Sequence, residues 1–174
     1  MRCSDSPGFG PALRERLAGA GPLAVAGIGD ELNPHDRLGM LAAGRIEALG
    51  LPGVKVFLAG TMPESVTAPI RRFKPGHILF IDAAVMGKAP GTLGIIEACE
   101  VHAGLLVTHA LPLPVVMEYL EKEAKAPVTI VGIQPDLAAS RDQPSGEEKA
   151  GIEQLVEILS DLFPAVLGKR SFPR

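Results

Sequence analysis

Six stretches of the chain are apolar at nearly every position over the length of a strand: LAVAGIG (23–29), VKVFLAG (54–60), HILFID (77–82), TLGIIEA (92–98), GLLVTHA (104–110) and VTIVGI (128–133). A strand with one face in water alternates apolar and polar positions, so these unbroken runs predict strands covered on both faces. Between several of them the apolar positions switch to helical spacing, over 38–49, 64–73, 113–125 and 147–163. The last of these opens with Ser145 and, three residues on, Glu148, the signature of a capping box. Ile152, Leu155, Val156, Leu159 and Leu162 then form its apolar stripe. Strands alternating with helices predict an α/β fold, a three-layer α/β/α sandwich around a largely parallel, twisted sheet. The polar, proline-bearing stretch 135–148 reads as a surface loop. Residues 1–10 and 167–174 read as flexible tails on a single domain, 11–166.

Composition narrows the classes of function. At 174 residues and 47% hydrophobic content the chain can bury one core of ordinary size. The net charge of −3 comes from interspersed acids and bases, with no basic stripe, one Tyr and no Trp, which argues against a nucleic-acid partner. No apolar segment resembles a signal peptide or is long enough to span a bilayer, so the expected location is the cytoplasm, with no membrane partner. Cys3 and Cys99 make neither a disulfide framework nor a CxxC pair; they read as free thiols in a reducing compartment. GxSxG, HExxH and GxxxxGK[ST] are absent. Gly27-x-Gly29 has Leu32 where a dinucleotide fingerprint has its third glycine, and the acidic loop that follows would repel a pyrophosphate.

In an open α/β sheet, ligands bind beyond the carboxyl ends of the strands. Three sets of polar residues stand at such ends: Asp30, Glu31, Asn33, His35 and Asp36 after the first run, Asp82 closing the third, and Thr108-His109 closing the fifth. Two carboxylates and an imidazole meeting at one edge could hold a divalent transition metal. Each residue also has a structural reading. Asp36 could cap the following helix, Asp82 could bond loop amides, and His109 could be a satisfied core histidine. His35, His77 and His102 read as solvent-facing or structural, His77 because it opens its strand at the opposite end. From the residues alone, both readings stay open.

The ordered motifs resemble a known family, the endopeptidases that mature the large subunit of nickel–iron hydrogenases, and within it the formate-hydrogenlyase (hydrogenase 3) type. GIGDELNPHDRLG resembles the family's opening loop, FIDAAVMGKAPGTLGIIE its Asp-Ala block, and VTHALPLPVVMEYL its Thr-His segment; VGIQPD and GTMPES fit the same subgroup. The resemblance covers about residues 22–163. It implies that Asp36, Asp82 and His109 are the metal-binding and catalytic trio, with nickel carried by the substrate as the cofactor. The implied partner is the precursor of a hydrogenase large subunit, from which a C-terminal extension is removed after nickel insertion. A monomer is the default state.

The chain departs from the family pattern in three places. His35 stands at a usual aspartate, Asp30 at an asparagine and Arg37 at a glycine, putting a cation beside the carboxylate of Asp36 and leaving His35 as a potential fourth ligand. Gly29 and Gly39 read either as letting the backbone approach the substrate or as tight loop geometry. Gly87, Pro90 and Gly91 read as turn residues. Gln134 reads as lining the cleft or as satisfying turn amides. Two rivals belong to other classes. One is a non-catalytic nickel-sensing chaperone of the precursor. The other is a phosphorylase or nucleosidase-like enzyme of similar architecture, for which the paired Arg71 and Arg72 sit on a helix away from the strand carboxyl ends.

Overall fold

The computed structural model describes residues 8–97, 113–138 and 142–164. Five strands, β1 (Leu23–Ile28), β2 (Val54–Gly60), β3 (His77–Ala83), β4 (Leu93–Ile96) and β5 (Val128–Ile133), form one sheet in the order β2-β1-β3-β5-β4. All neighbours are parallel except β4, which runs antiparallel to β5. The run at 104–110, expected as a sixth strand, lies outside the described residues.

Every residue of β1 and β3 is buried. Alternation explains why both faces must be apolar. Leu79 and Ile81 enter a core with helices α1 (Phe9–Leu17), α2 (Leu38–Leu49) and α5 (Gly146–Leu162); Ile78 and Phe80 enter a second core with α3 (Thr67–Phe73) and α4 (Leu113–Ala124). The result is the expected three-layer arrangement. Helix α1 is an element that the apolar pattern did not predict. It begins at Phe9 and is anchored by Leu13 and Leu17, four residues apart and so on one face. The capping box at the start of α5 forms as expected: Ser145 Oγ accepts from the Glu148 amide (3.1 Å) and the Glu148 carboxylate accepts from the Ser145 amide (2.7 Å). Glu148 also accepts from the Asp136 amide (2.9 Å), which draws the two ends of the polar loop together.

Two glycines let α2 lie unusually close to the sheet. A Cβ at Gly39 would stand 2.2 Å from the Ile81 carbonyl oxygen and 2.3 Å from that of Ile28, and one at Gly27 would stand 2.5 Å from Ala43 Cβ. The first turn of α2 is thereby pressed between the carboxyl ends of β1 and β3.

At the opposite, amino edge, His77 is buried and its Nε2 pairs with Thr129 Oγ1 (2.9 Å). The structural reading of this histidine is the one realised. Burial, assisted by the positive charge of Arg16, holds the imidazole below its ordinary pKa of 6.5. Below that pH the unfolded chain accepts a proton that the folded imidazole still refuses, so the folded state loses stability as pH falls through 6.5. The thermal midpoint of the protein is expected to fall more steeply between about pH 7.5 and 5.5 than that of His77→Asn, which keeps a hydrogen-bonding side chain without the titration. Parallel curves for the two proteins would remove His77 as a cause.

Candidate functional site

The strand order supplies a location. The chain passes from β1 to β2 on one side and then returns to lay β3 on the other side of β1, so the crevice between the carboxyl ends of β1 and β3 is a topological switch point, where open α/β sheets bind their ligands. Asp36 lies in the loop that leaves β1, and Asp82 is in the last turn of the pleat of β3.

The loop from Gly29 to Arg37 is built by its own short polar side chains. Asp30 Oδ1 accepts from the Leu32 amide (2.9 Å) and Asn33 Oδ1 from the His35 amide (3.0 Å), two turns in which a side chain stands in for a backbone carbonyl. The amides of Asp36 and Arg37 both donate to the Asn33 carbonyl, at 3.0 and 3.1 Å, and lead into α2. Aspartate does at position 30 what asparagine does, since only the carbonyl-like oxygen is used; that departure from the family pattern therefore leaves the loop's shape unaffected. Gly29, at φ +129°, allows the loop to fold back on itself, because a Cβ there would meet the Asp36 carbonyl oxygen at 1.8 Å. Gly29 and Gly39 thus serve the protein's own backbone packing.

Folding back delivers the Asp36 side chain to the strand ends. It is 2% exposed, its Oδ2 accepts from the Asp30 amide (3.0 Å), and its Oδ1 lies 3.5 Å from the Cβ position of Gly29. Arg37, not Asp36, occupies the cap position of α2, and its side chain makes no cap hydrogen bond. On the adjacent strand, the pairing of Gly27 with Ile81 puts Asp82 one step beyond, level with Ile28. Asp82 is fully buried and its Oδ1 accepts from the next amide, Ala83 (2.8 Å), part of the structural role expected for it. Asp36 and Asp82 therefore stand at the same end of neighbouring central strands. Thr108, His109 and His102, like Cys3 and Cys99, lie outside the described residues. Among the described residues no group of three or more His, Cys, Asp or Glu side chains could hold a metal ion.

Arg37, read from the sequence only as a charge beside Asp36, has a mechanical role. Its guanidinium is buried and Nη1 donates to the carbonyl of Asp142 (2.6 Å), tying the loop after β1 to the segment before α5. An arginine that follows a loop acid and precedes an apolar helix is its only trace in the sequence, because its partner is a backbone carbonyl. Gln134 takes the turn-satisfying role: buried, it accepts from the amides of Met86 (2.7 Å) and Lys88 (3.3 Å) and donates to the Pro135 carbonyl (3.1 Å). Gly87 and Gly91 adopt positive φ in the turn that Gln134 holds. His35 is half-buried beside Asp36 in sequence. Arg71 donates to the Tyr119 hydroxyl (2.6 Å), on α3 and α4. The end of α3 leads into the amino edge of β3, so this arginine pair is remote from the switch point.

Comparison with known proteins agrees with this frame. The family described as HycI, hydrogenase maturation protease, matches residues 44–160. A putative hydrogenase maturation protease of Methanocaldococcus jannaschii is 31% identical over 163 residues, covering 86% of this chain and 95% of the relative. The hydrogenase 3 maturation protease of Escherichia coli K12 is 32% identical over 111 residues, 63% of this chain and 70% of that one. Among solved structures, the crystal structure of the nickel–iron hydrogenase maturation protease HycI from Thermococcus kodakarensis superposes with a TM-score of 0.76 at 29% identity, over 87% of this chain and 98% of that one. The solution structure of the E. coli endopeptidase HycI gives 0.67 at 27% identity, over 78% and 86%. The chain belongs to the hydrogenase maturation protease family and is an endopeptidase with a role in processing a hydrogenase precursor.

Proposed function

We propose that this endopeptidase removes a C-terminal extension from the precursor of a nickel–iron hydrogenase large subunit once nickel has been inserted, and that Asp36, Asp82 and His109 complete the coordination of the nickel carried by the precursor. The observation that supports this best is the pair of buried carboxylates, Asp36 and Asp82, at the carboxyl ends of neighbouring strands flanking the switch point. Carboxylate oxygens and an imidazole nitrogen are donors that suit a divalent transition metal. His109 enters from the Thr-His motif. The resemblance of the motifs to the formate-hydrogenlyase type, and similarity to the hydrogenase 3 maturation protease of E. coli, favour a client of that type.

The chemistry asked of the protein is positioning. Two anionic side chains that reach the substrate's nickel hold the scissile peptide next to a metal able to polarise its carbonyl or activate a water, and a fixed geometry removes much of the entropic part of the barrier. Making the metal part of the substrate also gives order to maturation, because a precursor without nickel offers these carboxylates nothing to bind.

The test is incubation of the protein with nickel-loaded and nickel-free precursor, read by intact mass. Loss of a C-terminal peptide from the loaded form alone is expected. Cleavage of both forms would remove nickel from the reading, and stable binding of the loaded form without cleavage would make the protein a nickel sensor.

A further inference from the structure

A groove of 660 Å³ opens between α2 and α5 on the same side of the sheet as the loop that carries Asp36. Its apolar lining comes from Met40 and Leu41 of α2, Leu58 of β2, Pro144 and Ile152. Leu58 has the same parity as Val54 and Val56, which pack against the α2 core, but it lies beyond the cover of the helix and is 47% exposed. One lining residue, Glu31, belongs to the loop itself. The amide of its neighbour Asp30 is bonded to the Asp36 carboxylate, so the lining of the groove starts one residue along the chain from the amide that this carboxylate accepts.

The floor carries a second sign of a ligand. Gly44 lies in the interior of α2, where glycine is a poor helix former, and it lines the groove. Gly39, five residues earlier on the same helix, is required because strand carbonyls crowd it; at Gly44, apart from its chain neighbours and the helix's own backbone, no described atom lies within 4 Å of the place a Cβ would occupy. Packing therefore does not require this glycine. Its effect is to keep the floor of the groove open.

We infer that this groove receives aliphatic side chains of the precursor segment flanking the scissile bond, on the proposed reading that the precursor is cut beside Asp36. Charge favours a neutral segment. The rim holds two acids, Glu31 and Glu153, and two bases, Arg45 and Lys149, and Arg45 is paired with Glu153 across the helices at 2.8 Å. The volume falls within the range of about 300–1,000 Å³ found for ligand pockets, enough for several side chains of an extended chain. Specificity for the sequence around the cut then resides in the groove that α2, α5 and Leu58 of β2 line, separate from the carboxylates that meet the metal.

The test is steady-state cleavage of nickel-loaded precursor by the wild type, Gly44→Trp, which fills the groove from its floor, and Leu58→Asp, which charges its wall from a different element. Both variants are expected to raise KM about ten- to a hundredfold, the equilibrium weight of one aliphatic side chain returned to water, with kcat within about twofold. Gly44→Trp is expected to melt no lower than the wild type; if it does melt lower, Leu58→Asp decides. An unchanged KM in both variants overturns the proposal. Should the wild type fail to cut, titration calorimetry with the precursor separates the two readings. Binding by the wild type that Gly44→Trp loses supports the groove while the peptidase reading falls, equal binding by both overturns the groove, and no binding by either overturns both. Sedimentation showing self-association of the wild type that Gly44→Trp abolishes would make a second copy the occupant and overturn the proposal as well.

Discussion

Asp36→Asn is expected to slow precursor cleavage by about 10²–10³, a loss of roughly 3–4 kcal/mol of transition-state stabilisation, with the thermal midpoint almost unchanged. The two effects separate because asparagine keeps the oxygen that accepts the Asp30 amide at 3.0 Å, and so the shape of the loop, while it removes the negative charge. That hydrogen bond contributes about 1–2 kcal/mol, so weakening it cannot account for a thousandfold loss of activity. Asp82→Asn should behave in the same way, since an amide oxygen still serves the Ala83 amide. Asp36→Ala removes charge and acceptor together and should lose both activity and some stability. Time courses by intact mass beside melting curves decide the matter. An asparagine variant that cuts at the wild-type rate would reduce Asp36 to a loop scaffold and end its assignment as a ligand.

A large loss of stability from a single methyl group is expected at Gly39. Its Cβ would come within 2.2–2.3 Å of two strand carbonyl oxygens, and these belong to the buried backbone of β1 and β3, which cannot rotate away as a flexible side chain can. To accept alanine, α2 must lift off the sheet. Overpacking of this kind costs about 3 kcal/mol or more, against roughly 1 kcal/mol returned by the better helix propensity of alanine. For a chain of this length the net loss lowers the melting temperature by roughly 4–8 °C. Gly44→Ala is the internal control. It makes the same chemical change on the same helix into open space and is expected to raise the midpoint by about 2 °C. Equal shifts at the two positions would contradict the packing described for α2. Activity should fall with stability in Gly39→Ala, because the first turn of α2 carries the end of the Asp36 loop.

The contrast between these two glycines shows where reading the chain stops. Both stand in the stretch LGMLAAGRIEAL, and nothing local separates them. One is pressed against strand carbonyls and the other faces a groove, a difference created by segments up to about a hundred residues away. Helix α1 escaped for a related reason. It is short, and its buried anchors are Leu13 and Leu17 with Phe9 packed beside them, too few apolar positions to stand out before the helix and sheet they pack against are known. Arg37 was visible as a charge, but the bond that ties it across the fold goes to the backbone carbonyl of Asp142, and a carbonyl has no sequence signature.

What the chain determines by itself is what depends on neighbours a few residues apart. Unbroken apolar runs set β1, β2, β3, β4 and β5 within a residue or two; helical spacing set α2, α4 and α5; and the Ser145–Glu148 box and the Asp30 and Asn33 turns follow from side chains that bond their own backbone. The motif order led to the family that the comparisons establish. Only the tertiary structure decided that β1 and β3 are neighbours, so that Asp36 and Asp82, separated by the whole of α2, β2 and α3, stand at one switch point. Periodicity records which face of an element is buried but not which element buries it. Strand order is fixed by long-range packing among faces that look alike in sequence.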